Sequence, residues 1–133
     1  MTQYHLAIDI GASSGRHVLG CLENGKIRME EVYRFENKLI KRNNRLCWDT
    51  QNLFREIVSG IARCKELCKI PVSLGIDTWA VDFVLLNKQD QMLGDMVAYR
   101  DSRTSGMDQV FKRYLSEQEL YRLTGIQKQP FNT

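Results

Sequence analysis

The chain is poor in the groups that several common chemistries require. Only two histidines occur, His5 and His17, and none follows them. A serine–histidine–acid relay therefore cannot be completed by a downstream base. Four cysteines are present, Cys21, Cys47, Cys64 and Cys68. Cys64 and Cys68 stand four apart, but no third and fourth ligand lies near them, and a structural zinc takes about four. Reduced thiols in a cytosolic protein are the expectation. Charge of one sign is also lacking: 19 basic and 16 acidic residues leave +3, scattered along the chain, which argues against a nucleic-acid partner. The densest basic stretch, residues 38–45 ("KLIKRNNR"), reads as a solvated loop. No run approaches the ~18 apolar residues of a membrane span, and no signal-peptide pattern is visible. The expectation is a cytoplasmic protein without a membrane partner.

The 133 residues, 43% hydrophobic and 26% charged, have the make-up of one soluble domain with a real core. Residues 4–10 are β-rich and end at Gly11. Residues 16–22 alternate like a second strand, so a hairpin is expected, with "ENG" at 23–25 turning into a third strand over 27–36. Residues 37–45 read as loop, and 46–48 as a short extra strand. Asp49 or Thr50 caps a helix over 50–68 whose apolar face is Leu53, Ile57, Ile61, Cys64 and Cys68. After Pro71, residues 72–77 read as a buried strand, 81–86 as another and 95–99 as a third. Two short helices follow, the second with a Ser116–Glu119 capping box and ended by Gly125. Antiparallel strands followed by a helix returning to the same sheet predict a mixed α/β sheet with flanking helices.

The stretch that carries chemistry is residues 7–16, "AIDIGASSGR". Gly11-Ala12-Ser13-Ser14-Gly15 fits G-x-S-x-G, the nucleophile elbow, but an elbow needs a helix after the turn, and here a strand follows. A Walker loop requires lysine after its last glycine, and here Arg16 stands there. A plain polar hairpin turn remains open. Asp9 favours a different reading. A carboxylate at the end of a buried-looking strand is costly without a partner. Hydrated magnesium is such a partner, because it keeps its waters and takes few protein oxygens. Gly11 and Gly15 would let backbone approach a phosphate, with N–H groups, serine hydroxyls and Arg16 as donors.

"AIDIGASSGR" resembles the first phosphate motif of the sugar kinase, hexokinase, actin and heat-shock chaperone ATPase superfamily. Residues 74–86 ("LGIDTWAVDFVLL"), 98–104 ("AYRDSRT") and 123–133 ("LTGIQKQPFNT") closely resemble the rhamnulokinase branch of the FGGY carbohydrate kinases. The resemblance implies a ribonuclease H-like (actin-like ATPase) fold with three antiparallel first strands, present as an incomplete first lobe. It implies ATP and Mg2+ as cofactors and a ketose, L-rhamnulose, as substrate, phosphorylated on its C1 hydroxyl. Gly11, Ala12, Ser13, Ser14, Gly15 and Arg16 match the segment that contacts ATP phosphates, and Asp9 matches the acid near magnesium. The family's substrate contact falls on Ala80, where glycine is common. Trp79 and Asp82 flank it as pocket residues, with core packing the alternative for Trp79 and a turn acid the alternative for Asp77 and Asp82. Residues 100–104 read as a salt-bridged loop.

In the family the catalytic base, the adenosine site and the second phosphate loop come later in the sequence. The chain alone is thus expected to lack turnover and, with strand edges uncovered, to self-associate. Two other readings stand beside this one: a kinase for another ketose such as L-fuculose, and a non-catalytic actin-like nucleotide-binding module.

Overall fold

In a computed structural model residues 2–132 are described. Thr133, last residue of the 123–133 motif, lies outside them. The residues form two compact units, one built from 2–38 with Asp49–Ala80, the other from Leu39–Trp48 with 81–132.

The first unit is a four-stranded sheet of β1 (Tyr4–Ile10), β2 (Ser14–Glu23), β3 (Lys26–Glu36) and β6 (Pro71–Thr78), with helix α1 (Thr50–Glu66) against it. The strand order is β3-β2-β1-β6. β1–β2 and β2–β3 pair antiparallel, and β6 returns parallel to β1. This is the expected mixed sheet. Asn24 and Gly25, both at positive φ, make the tight turn between β2 and β3. Leu6, Ile8 and Ile10 of β1 face the core with Leu19, Phe35 and Cys64. Asp49 caps α1 by accepting from Asn52 N at 3.0 Å. Leu53, Ile57 and Ile61 lie against the core, as their spacing predicts. Cys68 does not: the helix ends at Glu66, and Cys68 sits exposed beyond it at φ 55°.

Two close approaches set the sheet–helix spacing. A Cβ on Gly60 of α1 would lie 2.3 Å from the His17 ring, and one on Gly15 would lie 2.1 Å from Phe35 Cζ. Only glycine fits at either place. His17 is fully buried, donates from Nε2 to Ile57 O at 3.1 Å, and meets Tyr33 edge-on at 5.5 Å.

β6 is a strand, but not a buried one. Leu74 and Ile76 are each 52% exposed, whereas their β1 neighbours Leu6 and Ile8 are 3% and 1%. β6 is one of the two edge strands of the sheet, and α1 lies over β2 and β3 instead.

The second unit centres on a hairpin of β4 (Leu39–Arg42) and β5 (Arg45–Trp48). Residues 37–45 were expected to be loop. Asn43 and Asn44, both at positive φ, form the two-residue turn that hairpins favour, and the lysines and arginines ride on an exposed ribbon. Residues 81–86 are not a strand. Val81 sits at φ 72°, and among the described residues the segment pairs through a single bridge from Leu86 to Met92 around a turn tied by Asn87. Residues 95–99 likewise give one bridge, Val97 to Cys47, flanked by Trp48 N→Met96 O and Ala98 N→Leu46 O. Apolar runs at these places lack a second neighbour with which to build a ladder. The two short helices are found as α2 (Met107–Phe111) and α3 (Glu117–Thr124). Ser116 caps α3, and Gly125 ends it in the left-handed region. All four cysteines are free, and burial pushes the Cys47 and Cys64 thiols up. Among the described residues no helix is long and apolar enough to cross a membrane.

Burial lowers the His17 pKa below its ordinary 6.5, and its Nδ1 finds no partner among the described residues. A depressed histidine is neutral in the fold and takes up its proton more readily when unfolded. Its stabilising contribution is therefore full above pH 6.5 and is lost as the pH falls below that value. Urea midpoints should drop between pH 7.5 and 5.5, and His17→Leu should flatten that dependence.

Candidate functional site

The hairpin turn between β1 and β2 is three residues long, Gly11-Ala12-Ser13, because β2 already begins at Ser14. Gly11 N donates to Ser14 O at 2.9 Å and closes it. Asn37, just after β3, braces it from outside. Its backbone N donates to Ser13 O at 3.0 Å and its Nδ2 to Gly11 O at 3.0 Å. No sequence signal short of the fold marks Asn37 for this task, since it stands 26 residues from Gly11. Among the described residues no hydrogen bond uses the N–H of Ala12 or Ser13, nor the hydroxyls of Ser13 and Ser14. The turn thus keeps several donors uncommitted within a few residues, as an anion-binding nest requires. The helix an elbow would need is absent, since β2 follows the turn.

Gly15 serves the core rather than the arc. Its bare side admits Phe35, and neither Gly11 nor Gly15 takes positive φ.

Asp9 is not a buried acid in search of a partner. It lies on the solvent face of β1, opposite the core-facing Ile8 and Ile10, and its partner is Arg16, aligned across the β1–β2 ladder. Arg16 Nε and Nη2 both donate to Asp9 Oδ2, at 3.0 and 2.8 Å, with the side chains 49% and 51% exposed. Oδ1 is left open. Arg34 aligns beside Arg16, and Asp77 aligns beside Asp9 on β6. A row Arg34–Arg16–Asp9–Asp77 therefore crosses four strands on one face. Glu31 pairs with Arg34, which holds the Glu31 carboxyl below its ordinary range. Among the described residues Asp77 accepts from Thr78 N alone, at 3.0 Å.

These groups suit a magnesium ion that keeps most of its waters. Asp9 offers one unused carboxylate oxygen in solvent, and no three His, Cys, Asp or Glu among the described residues form a closed cage.

The three residues expected at a sugar differ in setting. Trp79 is half-buried and lies against the core of the first unit, while Ala80 is exposed beside it. Asp82 belongs to the second unit, where its Oδ2 accepts from Trp48 Nε1 at 2.6 Å. The loop at 100–104 is held by Asp101, which is buried and accepts from Leu46 N at 2.7 Å, Arg103 N at 2.8 Å and Arg45 Nη1 at 3.2 Å. These donors, led by Leu46 N, hold its carboxyl below the ordinary aspartate value.

Residues 4–133 match the model of the FGGY family of carbohydrate kinases, N-terminal domain. The chain belongs to the FGGY carbohydrate kinases. This FGGY kinase chain is 55% identical over its whole length to a rhamnulokinase of Oceanobacillus iheyensis, and 54% identical over 98% of its length to one of Halalkalibacterium halodurans. It spans 28% of the length of each. A gluconate kinase from Lactobacillus acidophilus shares its fold at a TM-score of 0.75 and 21% identity, over 98% of this chain and 26% of that one. Plasmodium falciparum glycerol kinase with ADP does so at 0.72 and 11%, over 98% and 27%. The fold of this FGGY kinase chain is thus the actin-like, ribonuclease H-like one of sugar kinases, present in part.

Asn37→Ala removes one side-chain donor to the turn and leaves the backbone brace. It should cost about 1 kcal/mol of stability and speed amide exchange at Gly11 and residue 37, whose N–H groups are bonded in the turn, in hydrogen-exchange NMR, with β1 and β6 unaffected.

Proposed function

We propose that the complete protein transfers the γ-phosphoryl group of ATP to the C1 hydroxyl of L-rhamnulose, and that this chain is one N-terminal portion of its first lobe. The observation that carries the reading is identity above one half, along the entire chain, to proteins named rhamnulokinase. The uncommitted donors of the turn support the phosphate end of it.

In this reading Ala12 and Ser13 N–H, the Ser13 and Ser14 hydroxyls and Arg16 receive ATP phosphate oxygens, while Gly11 and Gly15 shape the turn. Asp9 holds Mg2+ through water, and the ion supplies charge neutralisation along the transferring phosphoryl group. Ala80, Trp79 and Asp82 serve the ketose: the ring suits its C–H faces and the carboxylate its hydroxyls. By family resemblance the base that takes the C1 proton is a later aspartate outside these residues, so the 133-residue chain is expected to have no turnover by itself. The expected setting is the cytoplasm and rhamnose catabolism.

A substrate panel on the complete protein tests this. L-rhamnulose should give the highest kcat/KM, and a preference for L-fuculose would overturn the assignment. Asp9→Ala should lower Mg2+-dependent kcat/KM by about two orders of magnitude or more, as loss of several kcal/mol of charge stabilisation predicts. Its melting temperature should barely move, because the Asp9–Arg16 pair is half exposed.

The uncovered β6 edge, with Val72, Leu74 and Ile76 exposed, supports self-association of the isolated chain. Sedimentation velocity over a concentration series should show reversible growth in mass, and Ile76→Lys should suppress it.

A further inference from the structure

Two arginines stand side by side on the solvent face of the first unit, Arg16 on β2 and Arg34 on β3, aligned across the ladder. They are held differently. Arg34 meets Glu31 fork to fork: Nε donates to Oε1 at 2.9 Å and Nη2 to Oε2, so both carboxylate oxygens are used. That is the strong bidentate form of such a pair. Arg16 instead converges on one oxygen. Its Nε and Nη2 both donate to Asp9 Oδ2, at 3.0 and 2.8 Å. Like charges aligned on neighbouring strands disfavour each other, and of the two arginines Arg16 has the looser partner.

Arg16 also lies within reach of the Gly11–Ser13 turn. Ser14 precedes it by two on β2 and shares its face, opposite the buried Gly15 and His17. Two such residues are about 7 Å apart along a strand, a distance that an arginine side chain spans. Yet the guanidinium is turned across the strands to Asp9. It is not turned along β2, where the Ala12 and Ser13 N–H groups and the Ser14 hydroxyl are uncommitted among the described residues. An anion that took the other edge of the guanidinium while the pair held would lie beside the Asp9 carboxylate, like charge against like charge. We propose that Arg16 exchanges partners: it pairs with Asp9 while the turn is empty and passes to a phosphate oxygen of ATP when the turn is filled, which uncovers the Asp9 carboxylate in the same movement. The free pair masks two opposite charges with each other, and nucleotide binding separates them. The inference rests on the proposed reading of the turn as the ATP phosphate site.

Calorimetric titration of the complete kinase with ATP in EDTA tests it, because without metal the freedom of Arg16 is read by itself. Asp9→Asn releases Arg16 and should tighten metal-free ATP about fivefold, the upper scale for a half-exposed ion pair. Asp77→Asn removes a negative charge at the same level of the next strand without releasing Arg16. It should tighten ATP by less than about twofold, as for a screened, exposed charge. A gain in Asp9→Asn no larger than that in Asp77→Asn overturns the exchange and leaves the phosphate site standing. An affinity unmoved by Arg16→Gln in the Asp9→Asn background removes Arg16 from the phosphate site, and the inference with it. Crystals of the unaltered kinase, free and with Mg2+ and a non-hydrolysable ATP analogue, give a readout that depends on no variant. Arg16 should sit on Asp9 in the free form and on a phosphate oxygen in the complex, and an Arg16–Asp9 pair intact in both overturns the proposal.

Discussion

The first unit depends on how closely α1 can approach β2. At the crossing the helix offers no side chain, only Gly60, and the sheet offers the ring of His17, which fills that space. Packing of this kind tolerates little change in volume. Because strand residues alternate, seating His17 inward commits its neighbours. Gly15 and Leu19 must also face the helix side, and Arg16 must face solvent. Gly15 then lies under Phe35, which ties β3 to the end of the Gly11–Ser13 turn. A slip of one residue in β2 would bury Arg16 and expose His17, so register is strongly specified. The chemistry at the turn inherits its geometry from this contact on the opposite face of the same strand.

The Asp9–Arg16 pair shows why site and stability are separable here. At half exposure such a pair contributes no more than about 1 kcal/mol, so it does not hold the hairpin together; the ladder and the core do. Its effect is local. It aims the Asp9 carboxylate along the solvent face, spends one oxygen and leaves the other open. Asp77, level with Asp9 on the adjoining strand, adds a second negative charge that is in no salt bridge among the described residues. Neighbouring like charges disfavour each other, so that end of the row is electrostatically receptive to a positive ion. The arginine end is receptive to phosphate oxygens. A cheap surface pair between them can be given up without unfolding anything.

Local chemistry wrote the first unit plainly in the sequence. The alternation over 4–10 and 16–22, the Asn24–Gly25 turn and the Asp49-capped helix each rest on contacts a few residues apart or on a simple period, and all are present. What stayed hidden depends on distant partners. Asn37 looks like any polar loop residue until β3 brings it back to Gly11. Gly15 reads as room for phosphate, yet its missing Cβ is explained by Phe35, twenty residues on. Asp9 reads as a buried acid because its strand is apolar, but alternation places it outside, opposite an arginine. Trp48 gave only a hint of a short strand, since nothing in "LCW" points to Asp82. The Asn43–Asn44 turn was legible in principle: two residues tolerant of positive φ between short β segments, masked by the surrounding charge.

The misread segments share one physical cause. Residues 72–77 and 81–86 are apolar enough to be buried strands, and one is an edge while the other is no strand at all. Hydrophobic pattern reports what a residue is suited to be covered by, not whether the cover is present. A parallel strand is ordinarily covered on both faces, yet the side of β6 continuous with the core is open at Leu74 and Ile76, and Phe83 and Leu85 stand exposed. The first unit nevertheless closes its own core, because α1 over β2 and β3 needs nothing from β6 beyond its ladder to β1. The turn at Gly11–Ser13 sits on that closed part, braced by Asn37. The phosphate end of the proposed site is therefore built by contacts wholly within this chain, whereas apolar residues of β6 and 81–86 stand exposed.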